Sequence, residues 1–141
     1  MEDTNIEELK REFIVSEEEE KMRLKEVLKR ILKFTKVTEQ GEVIFEQKGL
    51  STTSRIMLIL ATRYLGGRLS DKISCEVSLK ELARMAGTKE KVASARVSEL
   101  IKEGLVETVK RGVYRVRSLT AVEEILSRVE RKYASVQRNT H

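Results

Sequence analysis

The segment that decides the fold, Val77–Val116, reads VSLKELARMAGTKEKVASARVSELIKEGLVETVKRGVYRV. Within it, Ser78 and Glu81 have the spacing of a capping box, which predicts a helix over Leu79–Met85. Gly87 follows this helix at the point where the chain must bend sharply. The segment therefore begins with a short capped helix that ends in a glycine turn.

A second helix is predicted over Lys89–Glu103. Thr88 is positioned to cap its start, and Gly104 supplies the left-handed conformation that commonly ends a helix. Two strand-like runs follow, Leu105–Val109 and Val113–Arg117, and a tight turn around residues 111–112 joins them into a hairpin. A further short strand is expected just before the first helix, over residues 73–77.

This order of helix, turn, helix, glycine stop and hairpin resembles the winged helix-turn-helix superfamily of bacterial and archaeal transcription regulators. The sequence segments most typical of that superfamily are SLKELARMAG and ARVSELIKEGLVE. The resemblance implies a mainly α fold with a small β-hairpin wing (α+β), and additional N- and C-terminal helices. It also implies sequence-specific binding of double-stranded DNA by the second helix and the wing.

The face of the second helix that lies opposite its core face carries the DNA-binding prediction. If Ala93, Val97, Leu100 and Ile101 point to the core, the opposite face is small in its middle and basic at its ends. Small side chains let a helix backbone approach the floor of the major groove. The residues predicted to contact DNA from this helix are Thr88, Lys89, Lys91, Ser94, Ala95, Arg96, Ser98 and Lys102. Glu99 weakens the prediction and is expected in a solvated position.

The hairpin is the second predicted contact. Its four bases are Lys110, Arg111, Arg115 and Arg117, with no acid between the first and the last. In the superfamily resembled, a wing tip reaches the minor groove or the neighbouring backbone. An alternative stays open, because ARVSELIKEGLVE and the basic hairpin are also similar to winged helices of archaeal replication initiators. The domain would then be a protein-interaction or accessory module of a replication or transcription assembly.

The remaining sequence divides into three parts. Residues 1–50 are expected to form an N-terminal helical extension and a short strand or linker, with a helix over Glu17–Phe34. Residues 51–118 form the winged helix-turn-helix domain, in which a deeply buried helix over Ser51–Leu65 ends at the following two glycines. Residues 119–141 form a C-terminal amphipathic helix. Minor features are a weak amphipathic stretch over residues 5–13 and an extended run over residues 42–47.

The C-terminal helix is predicted to begin at a capping box of Thr120 and Glu123. Its apolar stripe suggests a homodimer, since two-fold DNA sites reward a two-fold protein. The residues predicted to form the dimer interface are Val122, Ile125, Leu126, Val129 and Tyr133. The alternative is that this helix packs on the Glu17–Phe34 helix within one chain.

Composition favours a nucleic-acid partner over catalysis. The chain has a formal charge of +5, and its acids concentrate in the first twenty residues. Residues 21–141 contain 26 bases and 14 acids, a balance of +12 that suits a polyanion. With a single cysteine, Cys75, expected to be an inert core residue, and a single histidine, His141, the sequence predicts no disulfide, no metal site, no cofactor and no enzyme. We expect a cytoplasmic protein without a membrane span.

Overall fold

The protein is mainly helical and contains two small antiparallel sheets. The computed structural model describes residues 2–139, with side chains over residues 5–137. In chain order the elements are α1 (Glu2–Phe13), α2 (Glu17–Ile31), β1 (Thr35–Val37), β2 (Val43–Phe45), α3 (Thr52–Leu69), β3 (Val77–Ser78), α4 (Leu79–Ala86), α5 (Glu90–Lys102), β4 (Val106–Lys110), β5 (Val113–Val116) and α6 (Leu119–Asn139).

Both sheets are antiparallel, and the β4–β5 pairing has a register shift between Thr108 and Lys110. In the first, β1 pairs with β2 so that Lys36 lies opposite Ile44. In the second, the strand order is β3-β5-β4, so the short strand before α4 adds to the outer edge of the β4–β5 hairpin. The extended run over residues 42–47 is thus a strand, and its partner β1 was not predicted because three residues give too short a pattern.

The helix α3 is the centre of the core. Its run from Ile56 to Ala61 is at most 5% exposed, as expected for a helix that is apolar on every side. Ser51 caps its start by accepting a hydrogen bond from the Ser54 N–H at 3.1 Å.

The prediction that two glycines end α3 is wrong, because the helix continues to Leu69. A Cβ on Gly66 would lie 2.9 Å from Ile73, and one on Gly67 would lie 2.9 Å from both the backbone N and the Cβ of Cys75. These glycines therefore leave space for the segment that crosses the helix. They do not end the helix. Cys75, expected in the core, is half-buried in this crossing segment.

The helix pair α4–α5 forms largely as the capping signals indicate. Ser78 and Glu81 make both hydrogen bonds of the capping box, and Gly87 adopts a left-handed φ of 69° after α4. Thr88 is not the cap of α5, however. Lys89 occupies that position and makes no capping bond through its side chain.

The apolar stripe of α6 packs against the core of the same chain, which corrects its assignment to a dimer interface. Val122, Ile125, Leu126 and Val129 have no exposed surface. The Tyr133 ring meets the Phe34 ring edge-on, with centroids 5.5 Å apart, and its hydroxyl donates to Gln47 Oε1 at 2.8 Å. The alternative weighed from the sequence, packing within one chain, is the arrangement observed.

Polar contacts join α6 to α2. Arg30 donates to Glu130 at 2.6 Å and to the Ser127 hydroxyl at 3.2 Å, and Arg23 pairs with Glu123. The predicted capping box of α6 is also corrected. The N–H of Ala121 donates to the Ser118 hydroxyl at 3.1 Å, so Ser118 is the capping side chain. The Thr120 hydroxyl instead accepts from Arg23 at 3.1 Å.

The helix α2 is shorter than predicted and ends at Ile31. Leu32, assigned to its buried stripe, is 55% exposed, whereas Phe34 turns into the core. The strand β3 is likewise shorter than its prediction and covers only residues 77–78. None of the described helices is long and apolar enough to cross a membrane. Within the same part of the chain no group of three or more metal-ligating side chains could hold a metal ion, and His141 lies outside it.

Candidate nucleic-acid interface

The helix α5 is divided into a core face and a solvent face. Ala93, Val97 and Leu100 are buried, and Ile101 is half-buried against the same core. The opposite face exposes Lys91, Ala95, Ser98 and Lys102, the residues predicted to line it. Thr88, Ser94 and Arg96 are half-buried at its margins. The face is thus narrow, small in the middle and basic at both ends.

Most cations of this face are available to an external anion. Lys89, Lys91 and Lys102 are exposed, and none of them makes an ion pair within residues 5–137. Arg96 differs, because its guanidinium pairs with Glu99 at 3.3 Å along the helix. Glu99 is exposed, as expected. Its charge partly neutralises Arg96, which is one of the residues predicted to contact DNA.

The tip of the β4–β5 hairpin is anchored beside the start of α4. Gly112 adopts a φ of 73°, which a tight hairpin turn requires, and its carbonyl accepts a hydrogen bond from the Leu79 N–H at 2.9 Å. Lys110 and Arg111 at this tip are exposed and have no ion-pair partner among the described side chains. The bond holds the hairpin tip, which contains both cations, next to the start of α4.

The other two wing cations are already paired. Glu107 lies opposite Arg115 in the hairpin register, and their side chains meet at 2.6 Å. Arg117 approaches the same carboxylate at 3.9 Å. The hydrogen bond that Arg115 donates to Glu107 holds the pKa of Arg115 above its ordinary value. Only the tip of the wing therefore offers unpaired charge.

A buried arginine, which the sequence analysis did not single out, fixes the start of α4. Arg63 is 4% exposed although it lies in the apolar helix α3. Its guanidinium donates to the carbonyls of Ser74 and Glu76, each at 2.7 Å, to the Gly41 carbonyl at 3.2 Å, and to Glu81 at 3.0 Å. A lone cation in an apolar run was the signal that could have revealed it, because such a group must find partners inside the protein.

Two further arginines fix the orientation of α4. Arg84 forms a bidentate pair with Glu42, at 2.6 and 3.0 Å, which braces the β1–β2 turn against the helix. Arg55 donates to the Ala86 carbonyl at 2.8 Å and to the Leu50 carbonyl at 2.6 Å, so it holds the last residue of α4. With Arg63 at its first turn and Arg55 at its last residue, α4 is therefore held at both ends.

Family models, curated proteins and solved structures give no match to this chain. Its function is therefore inferred from α4, α5 and the β4–β5 hairpin, and from the charges that these elements expose.

Proposed function

We propose that residues 51–118 form a winged helix-turn-helix domain that binds double-stranded DNA and reads its sequence with α5, in the role of a transcription regulator rather than an enzyme. The observation that carries this proposal is the solvent face of α5, where Ala95 and Ser98 lie between unpaired lysines. A helix with only a structural role would have long charged side chains there by default.

The dimensions of duplex DNA suit this face. The major groove is roughly 12 Å wide and admits an α-helix, and small side chains at its centre let the backbone approach the base edges. Ser98 can then bond a base edge or a phosphate. Lys91 and Lys102, on the same face, supply charge toward the phosphates on either side of the groove.

The start of α5 adds a second source of attraction. Lys89 makes no capping bond through its side chain, so N–H groups of the first turn remain open to an anion. Glu90 in the same turn partly balances this field. The tip cations Lys110 and Arg111 then extend the contact to the adjacent backbone in this proposal, while Arg115 and Arg117 are held back by Glu107.

A homodimer remains part of the proposal because a two-fold protein matches a two-fold DNA site. The apolar face of α6 is occupied within the chain, so the two copies must meet through another surface.

A second candidate function rests on two exposed apolar side chains near the same surface. Val92 on α5 and Val109 on β4 are 39% and 38% exposed. Together they favour an alternative in which the domain is a protein-docking module of a replication or transcription assembly.

Selection of duplexes from a random pool, followed by a salt series, separates these candidates. We expect an enriched sequence, and an affinity that falls steeply between about 50 and 200 mM salt, because phosphate neutralisation releases counterions. Absence of enrichment together with a flat salt dependence would favour the docking module. Binding that is steep in salt but equal for all duplexes would leave DNA binding in place and remove sequence reading.

A further inference from the structure

The N-terminal helix α1 presents an apolar face that no other part of the described chain covers. Ile6, Leu9 and Phe13 follow helical spacing and lie on one side. They are 60%, 62% and 87% exposed, and Ile14 and Val15 continue the exposed apolar surface beyond the helix. Such a contiguous apolar face on a soluble domain marks an interaction surface.

A second uncovered apolar surface is a groove between α2, α3 and β1. It has a volume of about 320 Å³ and is open to solvent. Its apolar lining includes Leu28, Leu32, Val37, Leu65 and Leu69. Leu32 and Leu69 are more than half exposed, so the groove lacks a cover at its rim.

We propose that α1 of one copy packs into this groove of a second copy, and that the exchange is reciprocal, so that the chain forms a two-fold homodimer. In such an isologous dimer each copy gives one helix and receives one. Two helix-in-groove contacts then form at once, and both uncovered surfaces are buried by the same event. The dimer needs no DNA and therefore does not rest on the proposed function.

The chain's own α1 is too short to fill its own groove. Residues 14–16 join α1 to α2, so folding back would place α1 beside the start of α2. The apolar face from Ile6 to Phe13 covers eight residues, or about 10 Å, whereas Leu28 lies about 16 Å along α2 from Glu17. The folded-back face would therefore reach at most the near rim of the groove at Leu69, next to the Arg68 that pairs with Glu20 at 3.3 Å, and would leave the side formed by Leu28 and Leu32 uncovered.

Charge also favours a second copy. The helix α1 contains five acids and two bases, a balance of −3. On α2, Lys25 lies on the same side as Leu28 and Leu32, is exposed, and makes no ion pair with any described side chain. Lys36 lines the groove itself, although its ammonium also pairs with Glu46 at 3.4 Å. An acidic helix thus meets a groove whose lining contains no acid and which has the unpaired Lys25 beside it.

Sedimentation of the full chain without DNA tests the exchange. We expect the wild-type protein to sediment at twice its 16.2 kDa mass. Leu9→Glu on the helix and Leu69→Glu in the groove should each raise the dimer dissociation constant about 100-fold or more, because each would bury an unpaired carboxylate. Both positions are more than half exposed, so the substitutions leave the fold of the single chain intact. Ala134→Glu on α6, at an exposed position outside both surfaces, is the control and should leave the dimer unchanged.

Cross-linking identifies the occupant of the groove. In a Cys75→Ser background, the Leu9→Cys chain is mixed with the Leu69→Cys chain under oxidising conditions, and we expect a disulfide between the two chains. A wild-type monomer at all concentrations would overturn the proposal, as would a dimer that neither acidic substitution weakens. A chain that contains both cysteines and closes only an internal disulfide would overturn it in favour of self-docking.

Discussion

The Arg63 guanidinium on α3 donates to Glu81 Oε2 in the first turn of α4, at a distance of 3.0 Å. The other carboxylate oxygen of Glu81 accepts from the Ser78 N–H at 3.2 Å, which completes the capping box. One carboxylate therefore both begins α4 and ties it to the central helix. The position of α4 relative to α3 therefore depends on a cation that is buried in the core.

Replacing this cation should destabilise the protein strongly. Arg63→Met leaves three backbone carbonyls, those of Gly41, Ser74 and Glu76, without their buried donor, and it removes the partner of Glu81. We expect a loss of about 2–4 kcal/mol in the free energy of unfolding by urea. Arg68→Met is the matched control, because Arg68 pairs at 3.3 Å with the exposed Glu20 and should cost less than about 1 kcal/mol. Equal losses in the two variants would contradict the role given to Arg63.

The same carboxylate should make stability depend on acid pH. Burial tends to raise the pKa of Glu81, but the hydrogen bonds from Arg63 and from the Ser78 backbone outweigh it and lower the pKa. The folded protein therefore holds the Glu81 proton less tightly than the unfolded chain. The stabilisation is present above the ordinary glutamate pKa of about 4.3 and is lost as the pH falls through the lower folded value.

Unfolding by urea at a series of pH values between about 3 and 7 measures this dependence. Glu81→Gln should flatten the fall in stability below about pH 4.3. A Glu81→Gln variant with the full wild-type dependence on pH would show that other carboxylates are responsible.

The two glycines inside α3 should respond differently to a methyl group. Alanine within a helix is normally favoured over glycine by about 1 kcal/mol. Gly67→Ala should nevertheless destabilise by about 1–3 kcal/mol, because its Cβ would meet the backbone N of Cys75 at 2.9 Å. Gly66→Ala meets only the Ile73 side chain at that distance, which can move, so its cost should be smaller. Thermal unfolding of both variants gives the comparison, and a stabilised Gly67→Ala would contradict the close approach.

How far the sequence predicts this fold depends on whether the signal is local. The α4 capping box, the turn at Gly87 and the left-handed stop at Gly104 were predicted, since each depends on residues within a few positions. The glycines of α3 were misread because their role depends on residues 73–75, which fold back across the helix after it ends, and no periodicity in the sequence reveals that path. The face of α6 was predicted apolar, but its partner was not, because periodicity shows that a face is buried and not what covers it.

In the candidate site, too, the features with a local sequence signal were predicted and those without one were missed. The solvent face of α5 follows from helical geometry, and the structure exposes the residues expected there. The pairing of Glu107 with Arg115 was missed, since it requires the hairpin register. Arg63 was missed because its four acceptors come from three segments separated along the chain, and no local pattern joins them.

The small face of α5 gives a direct test of the DNA-binding proposal. Ser98→Glu or Ala95→Glu would place a carboxylate among phosphates, and we expect at least about a 100-fold loss of affinity for the selected duplex. Both side chains are exposed, so the thermal midpoint should remain near the wild-type value. Ala134→Glu, an equally exposed change on α6, is the control. Normal binding by the Ser98→Glu variant, measured by fluorescence anisotropy, would exclude α5 as the recognition helix.

The cations at the tip of the hairpin should contribute to DNA binding, whereas the cations along its return strand, which are already paired, should contribute little. Lys110→Ala and Arg111→Ala should each reduce the slope of log affinity against log salt by about one, because each unpaired cation neutralises one phosphate. Arg115→Ala should change the slope by clearly less, since Glu107 already holds that guanidinium at 2.6 Å. The converse change, Glu107→Gln, frees Arg115 and Arg117 and should steepen the slope and tighten binding. If Arg115→Ala lowered the slope as much as Arg111→Ala, the hairpin pair would have to open on DNA, and the Glu107→Gln variant would then show little gain.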